Sequence, residues 1–398
     1  MKKLLVIATL AISFSDSVYA QRRDSAIEAR IEQVENGLLP TSSAGGVPIQ
    51  GARLAERMTA LKVPGISIAV INNGAIEWAR GFGLADVASA RHVNEHTRFQ
   101  AASISKSVTA MAAMSLVQAG MLSLDEDVNL RLAAWKLPTN EFTAQRKVTL
   151  RGLLSHTAGI GGHGFQGYAV DQAMPTLLEV LDGKAPANSD PVRAEVVPGS
   201  AWKYSGGGYE IVQLMITETT REPFDRFMQH AVLDKIGMKE SSFVLPAGWE
   251  AMASSAYLVD GRDVPGKWHR YPEMAAASLW TTPSDLARFV IEIQKSASGQ
   301  SNKVLSQKMT NEMLTPGIED FGLGLFLGEK SDARRSFYHG GGNAGFRNMM
   351  FAYTSTGQGA IVMTNGDNGQ ELIEEVLRAI AREYGWTNYL VANTPPPT

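Results

Sequence analysis

Apolar residues recur along the chain at two spacings, and each spacing predicts a different element. Near the start, an apolar residue at every third or fourth position predicts an amphipathic helix; these residues are Ile27, Ile31, Val34 and Leu38. Further on, Ile66, Ile68 and Val70 alternate with small residues, which predicts a strand. Asn73-Gly74 then supplies the residues of a tight hairpin turn. We therefore expect an antiparallel partner strand directly after it.

The centre and the end of the chain carry helical patterns with one late return to strands. From Ser103, a segment rich in Ala, Met and Leu runs to Gly120 and predicts a long helix. Residues 120–300 mix short helical patterns with Pro- and Gly-rich loops. Residues 348–365 contain two apolar runs around a Gly-containing turn, which predicts a second hairpin. A final helix is predicted from an apolar stripe formed by Leu372, Val376, Leu377, Ile380 and Tyr384.

These elements predict an α/β fold with strands near both ends of the chain and helices between them. The tight turns make neighbouring strands antiparallel, and the regular strand–helix alternation of a doubly wound sheet is missing. We expect one domain over residues 21–390, whose sheet comes from about 25–100 and 300–390 and whose largely helical insertion spans about 101–300. The proline-rich end, residues 391–398, is predicted to be disordered.

The first residues have the layout of a secretory signal peptide. Lys2-Lys3 gives a positive start, Leu4–Phe14 is an apolar run, and Val18-Tyr19-Ala20 offers small residues for cleavage before Gln21. We therefore predict that residues 1–20 are a signal peptide and that the mature protein is periplasmic or secreted. No later stretch approaches the roughly 18 apolar residues of a membrane-spanning helix, so no stable membrane span is expected after cleavage.

Composition narrows the chemistry that the protein can perform. Of its 398 residues, 44% are hydrophobic and none is cysteine. A substantial core is therefore expected, whereas disulfides, thiolate metal ligands and cysteine nucleophiles are excluded. A formal net charge of −3 without a basic block argues against a nucleic-acid partner. We expect neither a metal nor a cofactor, because the zinc-like spacing of His92 and His96 is not accompanied by a third ligand.

The first candidate for chemistry is the segment Ser103-Ile104-Ser105-Lys106. A serine hydroxyl becomes a good nucleophile when a base accepts its proton, and a lysine three residues later lies on the same helix face. The structural alternative is that Ser103 only caps the helix. The same spacing recurs at Ser200 and Lys203, but Ser200 lies in a Pro-Gly turn rather than before a long apolar helix.

Two glycine-rich segments are further candidates. Tyr204 precedes Ser205 and three glycines that begin with Gly206; glycines allow close backbone approach to a ligand, and a tyrosine can relay protons. The segment from His339 through Gly340 and Gly341 to Asn343 directly precedes the C-terminal hairpin, where a strand can donate backbone N–H groups to an oxyanion. Each segment taken alone is equally compatible with a structural turn.

Taken together and in this order, the three segments resemble those of the penicillin-recognising serine hydrolases. The resemblance is to the branch that contains class C β-lactamases, D-alanyl-D-alanine carboxypeptidases, D-amino-acid peptidases and a set of carboxylesterases. It implies a β-lactamase/transpeptidase-like fold. Further stretches that match this branch lie along the mature chain: VPGISIAVI, GFGLAD, TRFQAASISKS, LLSHTAGI, PGSAWKYSGGGY, AAASLWTTPSDLARF, FGLGL and HGGGNAGF.

The resemblance implies a role for each matching residue. Ser103 corresponds to the acylated nucleophile, Lys106 to its proton acceptor, and Tyr204 to a second base or to the acid that protonates the leaving group. The oxyanion hole would combine the N–H of Ser103 with one from the strand that contains His339-Gly340-Gly341. The strand residue is left open, with Asn343 as one choice.

Two departures from the family pattern affect the expected substrate. Gly206 stands where the family has an asparagine that holds a substrate amide, and His339 stands where it has a lysine that attracts a carboxylate. We expect His339 to supply that charge only when it is protonated at lower pH. We expect His156, in the segment LLSHTAGI, to order a turn rather than to take part in acyl transfer.

The sequence therefore predicts a serine hydrolase that acts through an acyl-serine intermediate on small carboxylic esters or amides. The alternatives are a β-lactamase or a D-alanyl-D-alanine carboxypeptidase or D-amino-acid peptidase, and, in another class, a non-catalytic protein that binds or senses cell-wall peptides. The expected partner is a small ester, amide or cell-wall peptide. The sequence does not decide the oligomeric state.

Overall fold

A computed structural model describes residues 24–39, 51–328 and 335–386, together with Tyr389. The predicted signal peptide (1–20) and the predicted disordered tail (391–398) lie outside these residues. The chain divides into two compact units, one formed by residues 1–57 and 374–398 and the other by residues 58–373. Among the described residues, no helix combines the length and the apolar character that crossing a membrane requires.

The larger unit contains a seven-stranded antiparallel sheet whose order is β3-β2-β1-β9-β8-β7-β6, and a two-stranded sheet of β4 and β5. Strands from early and late segments of the sequence meet where β1 pairs with β9. The strands are β1 (Gly65–Asn72), β2 (Ala75–Asp86), β3 (Arg91–His92), β4 (Phe99–Gln100), β5 (Trp280–Thr281), β6 (Phe326–Leu327), β7 (Ser336–Asn343), β8 (Phe346–Tyr353) and β9 (Gly359–Thr364).

Most helices lie between β4 and β6 in the sequence. The α-helices are α1 (24–35), α2 (Leu54–Leu61), α3 (Ile104–Gln118), α4 (Glu141–Gln145), α5 (Leu150–Leu154), α6 (Leu177–Asp182), α7 (Gly206–Thr220), α8 (Phe224–Met228), α9 (Asp234–Ile236), α10 (Met274–Ala277), α11 (Pro283–Ala297), α12 (Gln307–Met313) and α13 (Gly369–Glu383). Short 3₁₀ helices span Val128–Leu130, Glu250–Met252 and Ile318–Asp320, and a π-helix spans Gln229–Leu233.

The local patterns identified in the sequence form the predicted elements. Asn73 and Gly74 both adopt positive φ between β1 and β2, as a type I′ hairpin turn requires. The second hairpin is β8 and β9, and α3 stops two residues before Gly120, which has a φ of 71°. These observations confirm the α/β class with an antiparallel sheet drawn from early and late segments and flanked by helices.

Within the larger unit, α3 directly follows Ser103 and contains Lys106, the residues of the first candidate segment. It contacts β7 and β8 of the large sheet and also packs against α7 and α10. Almost all of its residues are buried, which explains why its sequence is apolar around the helix rather than along one stripe. The helix α11 packs against β1 and β9, and its buried residues belong to the same hydrophobic core as those of α3.

The smaller unit combines the described parts of both chain ends. Its apolar residues Ile31 and Val34 are buried, as the helical spacing predicts. The guanidinium of Arg57 pairs with the buried carboxylate of Glu375 at 2.7 Å, and Arg378 donates two hydrogen bonds to a backbone carbonyl near the end of the first described segment. Charged groups as well as apolar packing therefore hold this unit together.

Candidate active site

Ser103 and Lys106 meet at the start of α3. Ser103 is the residue directly before the helix, and Lys106 lies one turn further on, so that Lys106 Nζ donates a hydrogen bond of 3.1 Å to Ser103 Oγ. A second hydrogen bond of 2.9 Å to the Ala276 carbonyl of α10 fixes the buried lysine. The preceding residue, Ala102, has a φ of 51°. A non-glycine residue in this sparsely populated region is a strained conformation of the kind that clusters at functional sites.

The structure argues against two alternatives, namely that Ser103 only caps α3 and that Ser200 and Lys203 form the relevant Ser-x-x-Lys pair. Its side chain makes no capping hydrogen bond to α3, so capping does not account for it. At the second Ser-x-x-Lys match, Ser200 Oγ donates instead to the Val197 carbonyl, and Lys203 pairs with Glu195 at 3.0 Å. Only the first motif therefore joins a serine hydroxyl to a lysine amine.

Tyr204 lies beside this pair. Lys106 Nζ is 5.0 Å from the centre of the Tyr204 ring, within the range of a cation–π contact. Both residues and Ser103 line one cavity. The Tyr204 hydroxyl forms no hydrogen bond with any other described residue, so it is available to a ligand. Ser205, which follows, caps α7 by accepting a hydrogen bond from the Gly208 N–H at 2.8 Å.

His156 supports Tyr204 from the protein interior. Its ring centre is 4.3 Å from that of Tyr204, its Nδ1 accepts a hydrogen bond from the Ser205 N–H, and its carbonyl accepts one from the Lys203 N–H. Burial, with a contribution from Lys106, holds the pKa of His156 well below its usual value. The residue is a neutral structural support for the segment that positions Tyr204, as the sequence predicts.

Strand β7 runs past Ser103, and its Gly341 makes the close approach. A Cβ on Gly341 would lie 2.1 Å from the Ala101 carbonyl oxygen and 3.2 Å from Ser103 N, so only glycine fits here. Among the described residues, β6 pairs with β7 only at Phe337 and Tyr338, which leaves the following part of that edge without a strand partner. Backbone N–H groups of this edge and of Ser103 can therefore face a common ligand atom.

Asn343 is anchored at the end of β7. Its side-chain amide donates to Gln100 Oε1 at 2.8 Å and to the Ala277 carbonyl at 3.1 Å, and the side chain is buried. These bonds tie β7 to β4 and α10, so the side chain positions the strand. Gly341, rather than Asn343, makes the close approach to Ser103.

The expectation that His339 becomes positively charged at mildly acidic pH is wrong. The residue lines the cavity but is 1% exposed, and its Nδ1 donates to the Gly340 carbonyl at 2.6 Å. Burial, reinforced by the positive charge of Lys106, lowers the pKa of His339 to about 3. The imidazole therefore stays neutral in the pH range where proteins are normally assayed and does not replace the lysine charge.

Gly206 does not line the cavity, although the resemblance places it in the site. A Cβ at this position would lie 2.8 Å from Phe165 Cε2 and 3.3 Å from the His163 carbonyl oxygen. The ring of Phe165 thus occupies the space into which a side chain at 206 would extend, and Phe165 itself lines the cavity. An aromatic ring stands where the family pattern has an amide.

The cavity has a volume of about 560 Å³ and is lined largely by aromatic side chains and by glycines of β7. Three of the aromatic residues lie outside the segments singled out in the sequence: His163, Phe165 and Phe326. A fourth, Tyr338, directly precedes His339 in the third of those segments. Trp202 lines the cavity as well, whereas Tyr209, Trp268 and Trp280 do not. Tyr209 is buried in the core, and Trp268 and Trp280 pack on each other with ring centres 5.3 Å apart.

Two carboxyl groups lie buried behind the lysine. Glu210 of α7 and Glu273, the residue before α10, are both 0% exposed, and none of their carboxyl oxygens has a hydrogen-bond partner. Burial raises the pKa of Glu273 to about 7. Burial and repulsion from Glu273 raise the pKa of Glu210 well above its usual value, although the charge of Lys106 opposes this. The sequence feature that could have indicated this pair is the position of Glu210 within the apolar run of α7.

The described residues contain no group of three or more His, Cys, Asp or Glu side chains that could hold a metal ion. His96, one of the two histidines with zinc-like spacing, instead contacts Glu240 through Nδ1 at 3.1 Å. The groups that line the cavity include a hydroxyl, an amine, a phenol and backbone amides, which are the groups that acyl transfer through a serine needs.

This set of groups agrees with the comparison to known proteins. The sequence model of the Beta-lactamase family matches residues 52–383. The chain belongs to the Beta-lactamase family. Members of this family are serine hydrolases, so the resemblance stated from the motifs is confirmed at the level of the family.

The relatives are distant. The chain is 24% identical over 316 residues to the putative penicillin-binding protein PbpX of Bacillus subtilis, covering 76% of this chain and 71% of that protein. It is 24% identical over 318 residues to protein flp of Staphylococcus aureus, covering 76% of this chain and 60% of flp. The chain therefore spans about three fifths of the length of the staphylococcal relative.

Solved structures of the Beta-lactamase family share the fold. The octameric penicillin-binding protein homologue from Pyrococcus abyssi has a TM-score of 0.70 at 24% identity, covering 83% of this chain and 76% of that one. The D-amino acid amidase from Ochrobactrum anthropi SV3, complexed with L-phenylalanine amide, has a TM-score of 0.66 at 23% identity, covering 83% and 98%. At these identities the likeness establishes the β-lactamase/transpeptidase-like fold.

Proposed function

We propose that this protein is a carboxylesterase of the Beta-lactamase family that acts on small, uncharged carboxylic esters through an acyl-Ser103 intermediate. The observation that carries the proposal is the 3.1 Å hydrogen bond between Lys106 Nζ and Ser103 Oγ at the base of an open cavity. An adjacent amine is the kind of base that activates a serine hydroxyl.

The geometry supports a two-step reaction. Lys106 accepts the hydroxyl proton as Ser103 Oγ bonds to the ester carbonyl carbon, and the N–H groups of Ser103 and of the β7 edge stabilise the negative oxygen. As the carbon–oxygen bond to the alcohol breaks, Tyr204 donates a proton to the departing oxygen. A water molecule then attacks the acyl carbon and gives a proton back to Tyr204, and Lys106 returns its proton to Ser103 Oγ as the bond to the acyl group breaks and the carboxylic acid is released.

The two departures from the family pattern favour esters over β-lactams and D-peptides. Phe165 fills the space beside Gly206, so no side-chain amide is there to hold a substrate amide. His339 is buried and its pKa is about 3, so it offers no positive charge to a substrate carboxylate. A charge-assisted hydrogen bond is worth roughly 1.5–3 kcal/mol, and a neutral ester needs neither contact.

The test is covalent labelling by a fluorophosphonate followed by steady-state turnover. We expect wild-type protein to be labelled and to hydrolyse p-nitrophenyl acetate faster than nitrocefin. Ser103→Ala should abolish both labelling and turnover, while the matched variant Ser200→Ala should retain both. Faster hydrolysis of nitrocefin would contradict the ester preference. Labelling without turnover of any ester or amide would instead favour the non-catalytic binding protein.

We also propose export of the protein, because Lys2-Lys3, the apolar run Leu4–Phe14 and the small residues before Gln21 have the arrangement of a signal peptide. Mass spectrometry of the protein recovered from the periplasm or the medium should find Gln21 at the N-terminus. Recovery of the active protein with an intact Met1 from the cytoplasm would contradict this assignment.

A further inference from the structure

The wall of the cavity is a continuous series of aromatic rings that begins at Tyr204. The ring of Trp202 lies 6.2 Å from that of Tyr204 and 6.0 Å from that of Phe326, measured between ring centres. Phe326 in turn stacks on Tyr338 at 5.3 Å with an angle of 14° between the rings. All four residues line the cavity and are partly exposed. We call these four residues the aromatic wall.

The aromatic wall offers more surface than an acetyl ester can contact. Cavities of roughly 300–1,000 Å³ bury most of the surface of a drug-sized ligand, and this cavity measures about 560 Å³. An acetyl group would reach the nucleophile and leave most of the rings facing water. Partly exposed rings gain most from an apolar partner that removes their surface from water, and from one whose geometry allows offset stacking or edge-to-face contact.

The charges in the cavity decide whether a cationic, an anionic or an uncharged ligand group fits against the aromatic wall. Aromatic rings also attract cations, but none of the described residues that line the cavity is acidic, and its two charged side chains are Lys106 and Arg347. Arg347 is engaged by the carboxylate of Asp367 at 2.9 Å and by two backbone carbonyls. A cationic group would therefore be repelled and left unpaired, while an anionic group would find Arg347 already occupied. The wall suits an uncharged ring.

We propose that the physiological substrate carries an uncharged aromatic group that lies against the aromatic wall while Ser103 attacks the adjacent ester carbonyl. The inference rests on the proposed ester hydrolysis and adds the substrate class. It gives Trp202 and Phe326 the role of specificity determinants, because their rings lie between Tyr204 and Tyr338 in the wall. Phe165, near Gly206, adds a further ring to the cavity.

The test compares esters that differ in one group. The substrates are methyl acetate, methyl phenylacetate, benzyl acetate and the cyclohexyl counterparts of the last two, with acid release followed at constant pH. A hydrophobic pocket distinguishes even one methylene by roughly 10–200-fold. We therefore expect kcat/KM for at least one of the two aromatic esters to exceed that for methyl acetate by at least about tenfold, and to exceed that for its cyclohexyl counterpart.

If the aromatic wall causes the selectivity, substitutions in the wall should change the ratio of kcat/KM for an aromatic ester to kcat/KM for methyl acetate, which we call the aromatic-to-methyl ratio. Trp202→Leu and Phe326→Leu should each reduce the aromatic-to-methyl ratio by at least about fivefold, whatever their effect on absolute rates. The control Trp249→Leu should leave the ratio unchanged, because Trp249 contacts the guanidinium of Arg98 at 3.9 Å and does not line the cavity. An unchanged ratio in both wall variants would overturn the inference, as would equal preference for the cyclohexyl esters.

A binding measurement separates this inference from the proposed function. In the Ser103→Ala variant, calorimetry should detect tighter binding of phenylacetamide than of acetamide or cyclohexylacetamide, and Trp202→Leu should remove the difference. Wild-type turnover of methyl acetate without aromatic preference would overturn the inference and leave the esterase standing. Aromatic preference in binding without any ester turnover would contradict the esterase, and it would support only the part of the inference that assigns aromatic specificity to the cavity.

Discussion

The buried carboxyl group of Glu273 gives the stability of this protein a pH dependence whose sign follows from the structure. Burial raises its pKa from 4.5 to about 7, so the folded protein holds a proton that the unfolded chain releases above pH 4.5. The contribution of this proton to stability is fully present below pH 4.5. It is lost as the pH rises through about 7, because the unfolded state binds fewer protons in that window.

The size of the effect follows from the same shift. Each pKa unit corresponds to about 1.4 kcal/mol, so the difference between 4.5 and about 7 for Glu273 amounts to about 3 kcal/mol above pH 7. Glu273→Gln keeps the shape of the side chain but has no proton to lose. When the pH is raised from 5 to 8, the free energy of unfolding of Glu273→Gln minus that of wild type should therefore increase by on the order of 2–3 kcal/mol.

The assay is urea unfolding of both proteins at pH 5 and pH 8, followed by tryptophan fluorescence. The pH 5 measurement serves as the control, because it reports what the buried amide itself costs. Glu210→Gln should change the pH dependence in the same direction, since burial and repulsion from Glu273 raise the pKa of Glu210 as well. If wild type and Glu273→Gln lost stability in parallel between the two pH values, the carboxyl would already be ionised at pH 5 and the reasoning would be refuted.

Two further predictions concern the strand beside the nucleophile. Gly341→Ala should lower kcat/KM for p-nitrophenyl acetate by about a hundredfold or more, because a Cβ there would lie 2.1 Å from the Ala101 carbonyl oxygen and displace the oxyanion donors. The matched Gly340→Ala should cost at most a few-fold, since its Cβ would meet Met349 Cε at an ordinary 3.5 Å; equal losses would refute the argument. The preference for the ester over nitrocefin should be the same at pH 5 and pH 7.5, because His339 has a pKa of about 3. A smaller ratio of ester turnover to nitrocefin turnover at pH 5 than at pH 7.5 would show that His339 takes up a proton.

The parts of the fold that could be predicted depend on local interactions. The hairpin at Asn73-Gly74 follows from residues that tolerate positive φ, and the extent of α3 follows from its composition and from Gly120. The contact between Ser103 and Lys106 is also local, since residues three apart on a helix share one face. Each of these features needs no knowledge of what the segment packs against.

The parts that could not be predicted depend on tertiary packing. Phe165 and Gly206 are 41 positions apart in the numbering, and only the folded chain places the ring where an asparagine was expected. The neutrality of His339 follows from its burial on β7, which the glycine-rich sequence does not reveal. Glu273 likewise reads as an ordinary charged residue in the sequence, because its depth is set by the packing of α10 against α3 and α7.

These unpredicted features share one electrostatic consequence for Ser103 and Lys106. Burial keeps His339 unprotonated and favours the protonated form of Glu210 and Glu273 toward neutral pH. Below about pH 7, therefore, Lys106 lies among neutral groups and has no carboxylate among its hydrogen-bond partners. In the proposed reaction, no carboxylate therefore competes with Ser103 for Lys106, whose amine contacts Ser103 Oγ and the Ala276 carbonyl. The negative charge that then forms on the substrate oxygen is met by backbone amides and by the new ammonium group. A substrate that brings its own charge would disturb this balance, which is a physical reason for proposing an uncharged ester as the substrate.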